Sequence, residues 1–169
     1  MRRVYRSRSV RTPCRGAGRI VEPDSCLCNN LSMDYEAFTR ALKADIREKG
    51  RPQEGPMAGR PLMILTTTGA KSGEPREAVV TYSRDADRYV IAASKSGAPD
   101  NPQWYYNILA NPQVTVEADR EKFIAQATVQ FGADRDRLYD QHAEERPEFR
   151  DYPTKTDRLI PVITLQRVG

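Results

Sequence analysis

The stretch "LMILTTTGAKSGEPREAVVTYSRDADRYVIAA", Leu62 to Ala93, decides the fold. Three runs rich in β-branched and aromatic residues, Leu62–Thr68, Glu77–Ser83 and Arg88–Ala93, are separated by a Gly-Glu-Pro turn and by Asp85-Ala86-Asp87. Such runs with turn residues between them read as strands joined in two successive hairpins. Direct hairpins exclude a doubly wound α/β sheet, whose parallel strands need crossover helices.

The first turn is not a nucleotide loop. A Walker motif needs Gly-x-x-x-x-Gly-Lys-Ser/Thr opening a helix. Here Leu65 stands at the first glycine position, Ala70 precedes Lys71, and a strand follows. A dinucleotide Gly-x-Gly-x-x-Gly is also absent. What remains is a basic hairpin tip: Lys71 and Arg76 flank Gly73 and Pro75, and Ser72 adds a hydroxyl. Two cations and several amides without ladder partners suit an anion. The plainer reading of such a tip is a solvated turn.

Upstream, Asp34–Lys49 reads as a helix, with Tyr35, Phe38, Leu42 and Ile46 at helical spacing and Gly50 ending it. A Gly/Pro-rich connector, 51–61, follows. Downstream, "SKSGAPDNPQWYYNILANPQ" (Ser94–Gln113) holds a short helix, with Asn101 as N-cap, Pro102 at the first helical position and Asn111-Pro112 ending it. Val114–Ala118 and Phe123–Gln130 form a further hairpin; Asp134–Glu145 reads as a charged surface helix. A loop with Phe149 and Tyr152 leads to a last strand, Leu159–Arg167. Six strands with few, short helices predict a mainly β protein built as a small closed or nearly closed barrel. Open barrel edges often pair, which makes a homo-oligomer an expectation.

The chain of 169 residues is long enough for one domain with a core that needs no disulfide or metal. Its net charge of +4 is local: residues 1–32 hold seven arginines against Glu22 and Asp24, and the remainder is nearly neutral. That remainder offers no general reason to bind nucleic acid. Cys14, Cys26 and Cys28 all fall in the same leader, at a spacing that does not suit zinc. The leader lacks the apolar stretch of a secretory signal, and no run of about 18 apolar residues exists to span a membrane. Residues 1–32 are expected to be a disordered leader, translated from upstream of a start at Met33. The expected organisation is then a helix over 33–50, a linker over 51–61 and a barrel domain over 62–169. A cytoplasmic location is expected. The stripe Tyr35, Phe38, Leu42 and Ile46, with Lys43, Arg47 and Lys49 nearby, either packs on the barrel or touches a membrane surface.

Chemistry gathers in three consecutive connections. The first is the basic tip. The second, "AASKSG" (Ala92–Gly97), ends the third strand with small residues, Ser94 and Lys95; small residues let a planar ligand approach the backbone. The third, "NPQWYYNILANP" (Asn101–Pro112), carries the only Trp and two Tyr, for which core packing is the plainer role. Together they suggest one site for an anionic, partly aromatic cofactor. His142, the only histidine, is flanked by Glu144, Glu145 and Arg146 and is expected to face solvent. No His-based triad or metal site can be assembled around it.

Through "LTTTGAKSGEPR", "YVIAASKSGAPDNPQWYYNILANP" and "DYPTKTDRLIPVITL", the chain resembles the deazaflavin-dependent nitroreductase family of actinobacteria, whose members include quinone reductases. The resemblance implies a six-stranded split β-barrel, like that of the FMN-binding split-barrel proteins, and reduced coenzyme F420, an 8-hydroxy-5-deazaflavin, as hydride donor. By position, Lys71 and Arg76, with Ala70 and Ser72, match the residues holding the cofactor's phosphate and oligoglutamate tail. Arg76, Glu77, Ala78, Val79, Val80 and Thr81 match a strand that contacts the cofactor through its backbone. Ala92, Ala93, Ser94 and Lys95 match the segment beside the ring and phosphate. Gln103, Trp104, Tyr105, Tyr106 and Asn107 match a short helix closing over the cofactor.

Where the family carries several tyrosines near the substrate, this chain has Arg146, Phe149 and Tyr152, of which only Tyr152 keeps the hydroxyl. Phe149 retains a ring to pack on the cofactor. Ser94 would orient the deazaflavin, and Tyr152 would donate to the acceptor oxygen. The implied acceptors are quinones, with nitro compounds and activated enones as others. Two alternatives stand beside this: a non-catalytic module binding deazaflavin or a lipid-like ligand, and an FMN-dependent oxidase on the same barrel.

Overall fold

The structure, a computed structural model, describes residues 26–168. Helix α1 (Cys26–Lys49) leads to strand β1 (Leu62–Thr68), β2 (Pro75–Asp85) and β3 (Arg88–Ala92). A 3-10 turn (Lys95–Gly97), helix α2 (Gln103–Ala110), β4 (Gln113–Ala118) and β5 (Glu121–Gln130) follow. Helix α3 (Gly132–Glu145), a second 3-10 turn (Pro147–Asp151) and β6 (Val162–Arg167) complete the order. The strands close into an antiparallel barrel in the order β1-β2-β3-β6-β5-β4, with β4 returning to β1.

Period-two alternation decides what each strand buries. In β1, Met63 and Leu65 point into the barrel with Tyr89, Ile91, Val116, Ile163 and Leu165. Leu62 and Ile64 point outward and are covered by Leu42 and Ile46 of α1. The strand therefore reads as a continuous apolar run because both faces are buried. On the far side, Leu138 and Tyr139 of α3 pack on Val90 and Val162. The end carrying the β2–β3 and β4–β5 turns is plugged by Tyr82, Tyr89 and Phe123, with ring centroids 5.1 and 5.5 Å apart.

The barrel is split along one line. β1 pairs with Pro75–Thr81 of β2, whereas β3 pairs only with Tyr82–Asp85. Over Pro75–Thr81, β2 thus has one hydrogen-bonded neighbour and one free edge among the described residues. This edge positions the site.

Four expectations need correction. First, α1 begins at Cys26, ahead of Asp34, so the part of the expected leader from Cys26 onward is helical; residues 1–25 lie outside the described ones. Second, β6 starts at Val162, because Arg158 and Ile160 are drawn into other contacts before Pro161. Third, α2 starts at Gln103, with Pro102 rather than Asn101 as N-cap. The Asn101 side chain instead accepts a hydrogen bond from Arg158 Nη1 at 2.6 Å.

The fourth concerns α3 and His142. The imidazole is 0% exposed, its Nδ1 lies 2.7 Å from Ser83 Oγ, and the edge of Phe149 meets its ring at 4.4 Å. Burial, with Arg146 nearby, pushes its pKa down to about 4. Glu144 and Glu145 occupy the solvent side of a helix whose other face is buried, while Arg146 at its C-terminus stays beside the His142 ring.

Candidate functional site

At the basic tip, the backbone is fixed before any ligand is considered. Gly69 N–H donates to Glu74 O and Gly73 N–H to Gly69 O, both at 2.8 Å. Ser72 Oγ accepts from Glu74 N–H at 3.3 Å. A Cβ on Gly69 would lie 2.6 Å from Ser72 Oγ and 3.2 Å from Glu74 O, so a side chain there would displace the Ser72 hydroxyl from its place in the turn. Asn107 of α2, only 2% exposed, braces the tip from below. Its Oδ1 accepts from Ala70 N–H at 3.1 Å and its Nδ2 donates to Thr67 Oγ1 at 3.0 Å. Asn107 is thereby committed to the chain itself, and its place is that of a support.

Lys71 and Arg76 have no carboxylate within ion-pair distance among the described residues. With Ala70, Ser72, Gln103 and Trp104 they line a cavity of about 490 Å3 that also reaches Glu77 and Ala78 of the free edge. The Glu77 side chain turns away to Lys43 and Arg47 of α1, each 2.8 Å distant. The Lys43 ammonium, with Arg47, holds this carboxyl below the usual carboxylate range. A negative charge beside the cationic cavity is thus neutralised from behind.

The second cavity, about 240 Å3, continues along the same edge and is lined by Val79, Val80, Thr81, Ala92, Ser94 and Lys95, with Trp104, Phe149 and Tyr152. Lys95, Ser96 and Gly97 lie successively at φ of 47°, 56° and 82°, a left-handed run that side-chain-bearing residues resist. Arg158 holds it. Nη2 donates to Ala93 O and Ser94 O at 3.0 and 2.8 Å, and Nε to Ala98 O at 2.9 Å. Gly97 is also pressed against the next loop, where a Cβ would lie 2.8 Å from Lys155 Cβ. Phe149 is anchored by Tyr139, whose hydroxyl donates to its carbonyl at 2.8 Å, and Tyr152 packs on Phe149 at 4.9 Å between centroids.

The structure thus joins most of the expected residues along one line. Lys71 and Arg76 share one cavity, Lys95 stands in the next, and Trp104 lines both. The three cations are distributed along an edge and do not meet at a point. Three expected residues sit elsewhere. Ala93 is fully buried in the barrel core. Tyr105 packs against that core, and the largely exposed Tyr106 meets Tyr105 edge-on at 5.7 Å. On a helix of this pitch only one flank faces the cavities, and Gln103, Trp104 and Asn107 occupy it.

Sequence reasoning missed Arg60, Glu148 and Arg158. Arg60 Nη1 and Glu148 Oε1 form an ion pair at 2.6 Å beside the second cavity, joining the connector to the 3-10 turn that carries Phe149. Arg158 falls inside a quoted motif, yet its four partners are about 60 residues away in sequence and leave no local signal.

The chain matches known proteins along most of this region. The family model described as F420H(2)-dependent quinone reductase matches residues 38–167. An F420H(2)-dependent quinone reductase of Mycobacterium tuberculosis is 39% identical over 110 residues, covering 63% of this chain and 74% of the relative. Among solved structures, an F420-H2-dependent reductase (FDR-A) superposes with a TM-score of 0.59 at 38% identity, covering 63% of this chain and 95% of that one. A protein described as a domain-swapped dimer superposes with a TM-score of 0.60 at 33% identity, covering 81% and 99%. The chain belongs to the F420H(2)-dependent quinone reductase family and is an F420H2-dependent reductase that uses coenzyme F420 on a six-stranded split barrel.

Proposed function

We propose that this protein reduces quinones with F420H2 bound along the free edge of β2, its acidic tail at Lys71 and Arg76 and its ring beside Ser94 and Trp104. The observation that carries the reading is the free edge itself: seven residues, Pro75 to Thr81, linking a cationic cavity to one lined by small and aromatic residues. Coenzyme F420 is a long molecule with a planar ring at one end and phosphate and carboxylates at the other. The residues present fit it, because Lys71, Arg76 and Lys95 lack carboxylate partners among the described residues. Each charge-assisted contact contributes about 1.5–3 kcal/mol, and three supply much of the roughly 8 kcal/mol of micromolar binding.

When bound, the reduced cofactor supplies a hydride; the protein supplies position, electrostatics and exclusion of water. Backbone groups of Val79 to Thr81, together with Ser94, would orient the ring. Trp104 would cover it, and Arg158 would keep the Ala93–Ala98 segment in the conformation that presents Ser94 and Lys95. The quinone takes up one hydride and one proton and leaves as the quinol. Tyr152, whose hydroxyl has no protein partner among the described residues, would donate to the acceptor oxygen as negative charge develops there. The same step extends the proposal to nitro compounds and activated enones. The likeness to a domain-swapped dimer supports a homo-oligomer. No described helix is long and apolar enough to cross a membrane.

The test is turnover of menadione with F420H2, followed by recovery of the oxidised cofactor's absorbance. The reading expects turnover by the native protein, and Tyr152→Phe to lower kcat by about tenfold or more with F420 affinity unchanged. Absence of turnover despite bound cofactor would contradict it, and an unchanged kcat in Tyr152→Phe would remove that residue from the chemistry.

A further inference from the structure

Among the described residues, Glu77 is the only acidic side chain lining the cavity of Lys71 and Arg76. A carboxylate at that place is the natural partner for two cations that have no other, and an anionic ligand would have to displace it. It pairs with neither. Alternation along β2 puts Glu77 on the strand face shared with Val79, which packs with Leu42 of α1. From there its two oxygens are taken separately, Oε2 by Lys43 Nζ and Oε1 by Arg47 Nη2, each at 2.8 Å.

The two α1 cations are not equivalent. Arg47 is shared: its Nε donates to Glu117 Oε2 at 2.8 Å and its Nη2 also reaches Glu117 Oε1 at 3.2 Å, so it serves β4 as well as β2. Lys43 has Glu77 as its one carboxylate partner among the described residues. Neither cation lines the cavity of Lys71 and Arg76. Glu77 makes the connection, because it lines both that cavity and the cleft that holds Lys43 and Arg47.

We propose that Lys43 is a positioning residue for cofactor binding: with Arg47 it holds the Glu77 carboxylate on the α1 side of β2 and so keeps Lys71 and Arg76 open to the acidic tail. The proposal rests on the reading given above, in which that tail lies at Lys71 and Arg76, and adds α1 to the elements that set cofactor affinity. Released from Lys43, Glu77 would turn to Lys71 or Arg76 as an internal competitor, and its charge would repel phosphate and glutamates alike. The penalty depends on the ligand's negative charge and vanishes for a ligand that has none.

The experiment is a double-mutant cycle on the full-length protein, Lys43→Met with Glu77→Gln. Each variant is titrated at low salt with F420 and with the deazaflavin ring carrying only its ribityl chain. Lys43→Met keeps side-chain length and helix propensity and removes the charge. It is expected to weaken F420 about three- to fivefold, the scale of one exposed charge pair, and to leave the truncated ligand within about twofold. Glu77→Gln alone should bind F420 at least as tightly as the native protein, and Lys43→Met should cost nothing further in that background. Should Lys43→Met fail to fold, Lys43→Gln replaces it. A loss of the same size in the Glu77→Gln background would mean that Lys43 attracts the tail directly, and overturns the proposal. Equal weakening of both ligands would mean a displaced helix and overturns it too. Lys71→Ala separates the two readings. If it leaves F420 affinity unchanged, the tail is not held at the β1–β2 turn and both fail; a loss in Lys71→Ala with none in Lys43→Met overturns this proposal alone.

Discussion

His142 links stability to the packing beside the second cavity, because its buried ring meets Phe149 edge-on. Its ring is enclosed between Ser83, Phe149 and Arg146, and burial holds it neutral down to about pH 4. In the unfolded chain the same imidazole takes up a proton near pH 6.5. Between these values the unfolded state binds more protons, so stability is full above about pH 6.5 and falls as the pH drops. Glu77 and Asp85, both held below their ordinary range, act at lower pH, which leaves pH 4.5–6.5 to His142. Urea unfolding across that window should show a loss of up to about 2–3 kcal/mol in the native protein. His142→Asn, which keeps a partner for Ser83, should flatten the slope; equal slopes in the two proteins would assign the loss to another group. The sequence hid this residue because Glu144, Glu145 and Arg146 are its neighbours along the chain. The turn of α3 that faces the barrel is set by Leu138 and Tyr139, one turn earlier.

Among the elements, the loop from Ala93 to Asn101 depends most on a distant partner. Its left-handed residues Lys95 and Ser96 are conformationally costly, and the Arg158 guanidinium satisfies three of its carbonyls and the Asn101 side chain. Arg158→Lys keeps the charge and loses the planar fork that makes these bonds at once. It should weaken F420 binding by about tenfold or more, in line with one lost charge-assisted hydrogen bond. Fluorescence titration of F420 measures this, and near-native secondary structure by circular dichroism separates a displaced loop from a collapsed fold. Unchanged F420 affinity in Arg158→Lys would dissociate the loop from the site. The strands were legible in advance because hairpin turns and period-two alternation are local properties. The braces Arg158, Asn107 and Arg60–Glu148 were not, since each joins segments at least 37 residues apart and is created by barrel closure.

For the whole molecule, closure of the barrel leaves one stretch of strand unpaired among the described residues, and the two cavities follow it. The hairpins revealed the barrel, and the cations and aromatics revealed three connections. The free edge joining them was legible only through the resemblance, because it depends on β3 being five residues long and stopping at Ala92. On the proposed reading, Lys95 is separate from Lys71 and Arg76 because they would serve successive parts of one long ligand. This arrangement predicts how affinity divides along the cofactor.

The most direct measurement is a binding cycle, with native protein and Lys71→Ala each titrated against F420 and against the deazaflavin ring with its ribityl chain alone, lacking phosphate and glutamates. The account predicts that Lys71→Ala weakens F420 by about tenfold or more and leaves binding of the truncated cofactor unchanged. Equal losses for both ligands, or no loss for either, would contradict a cofactor tail held at the β1–β2 turn.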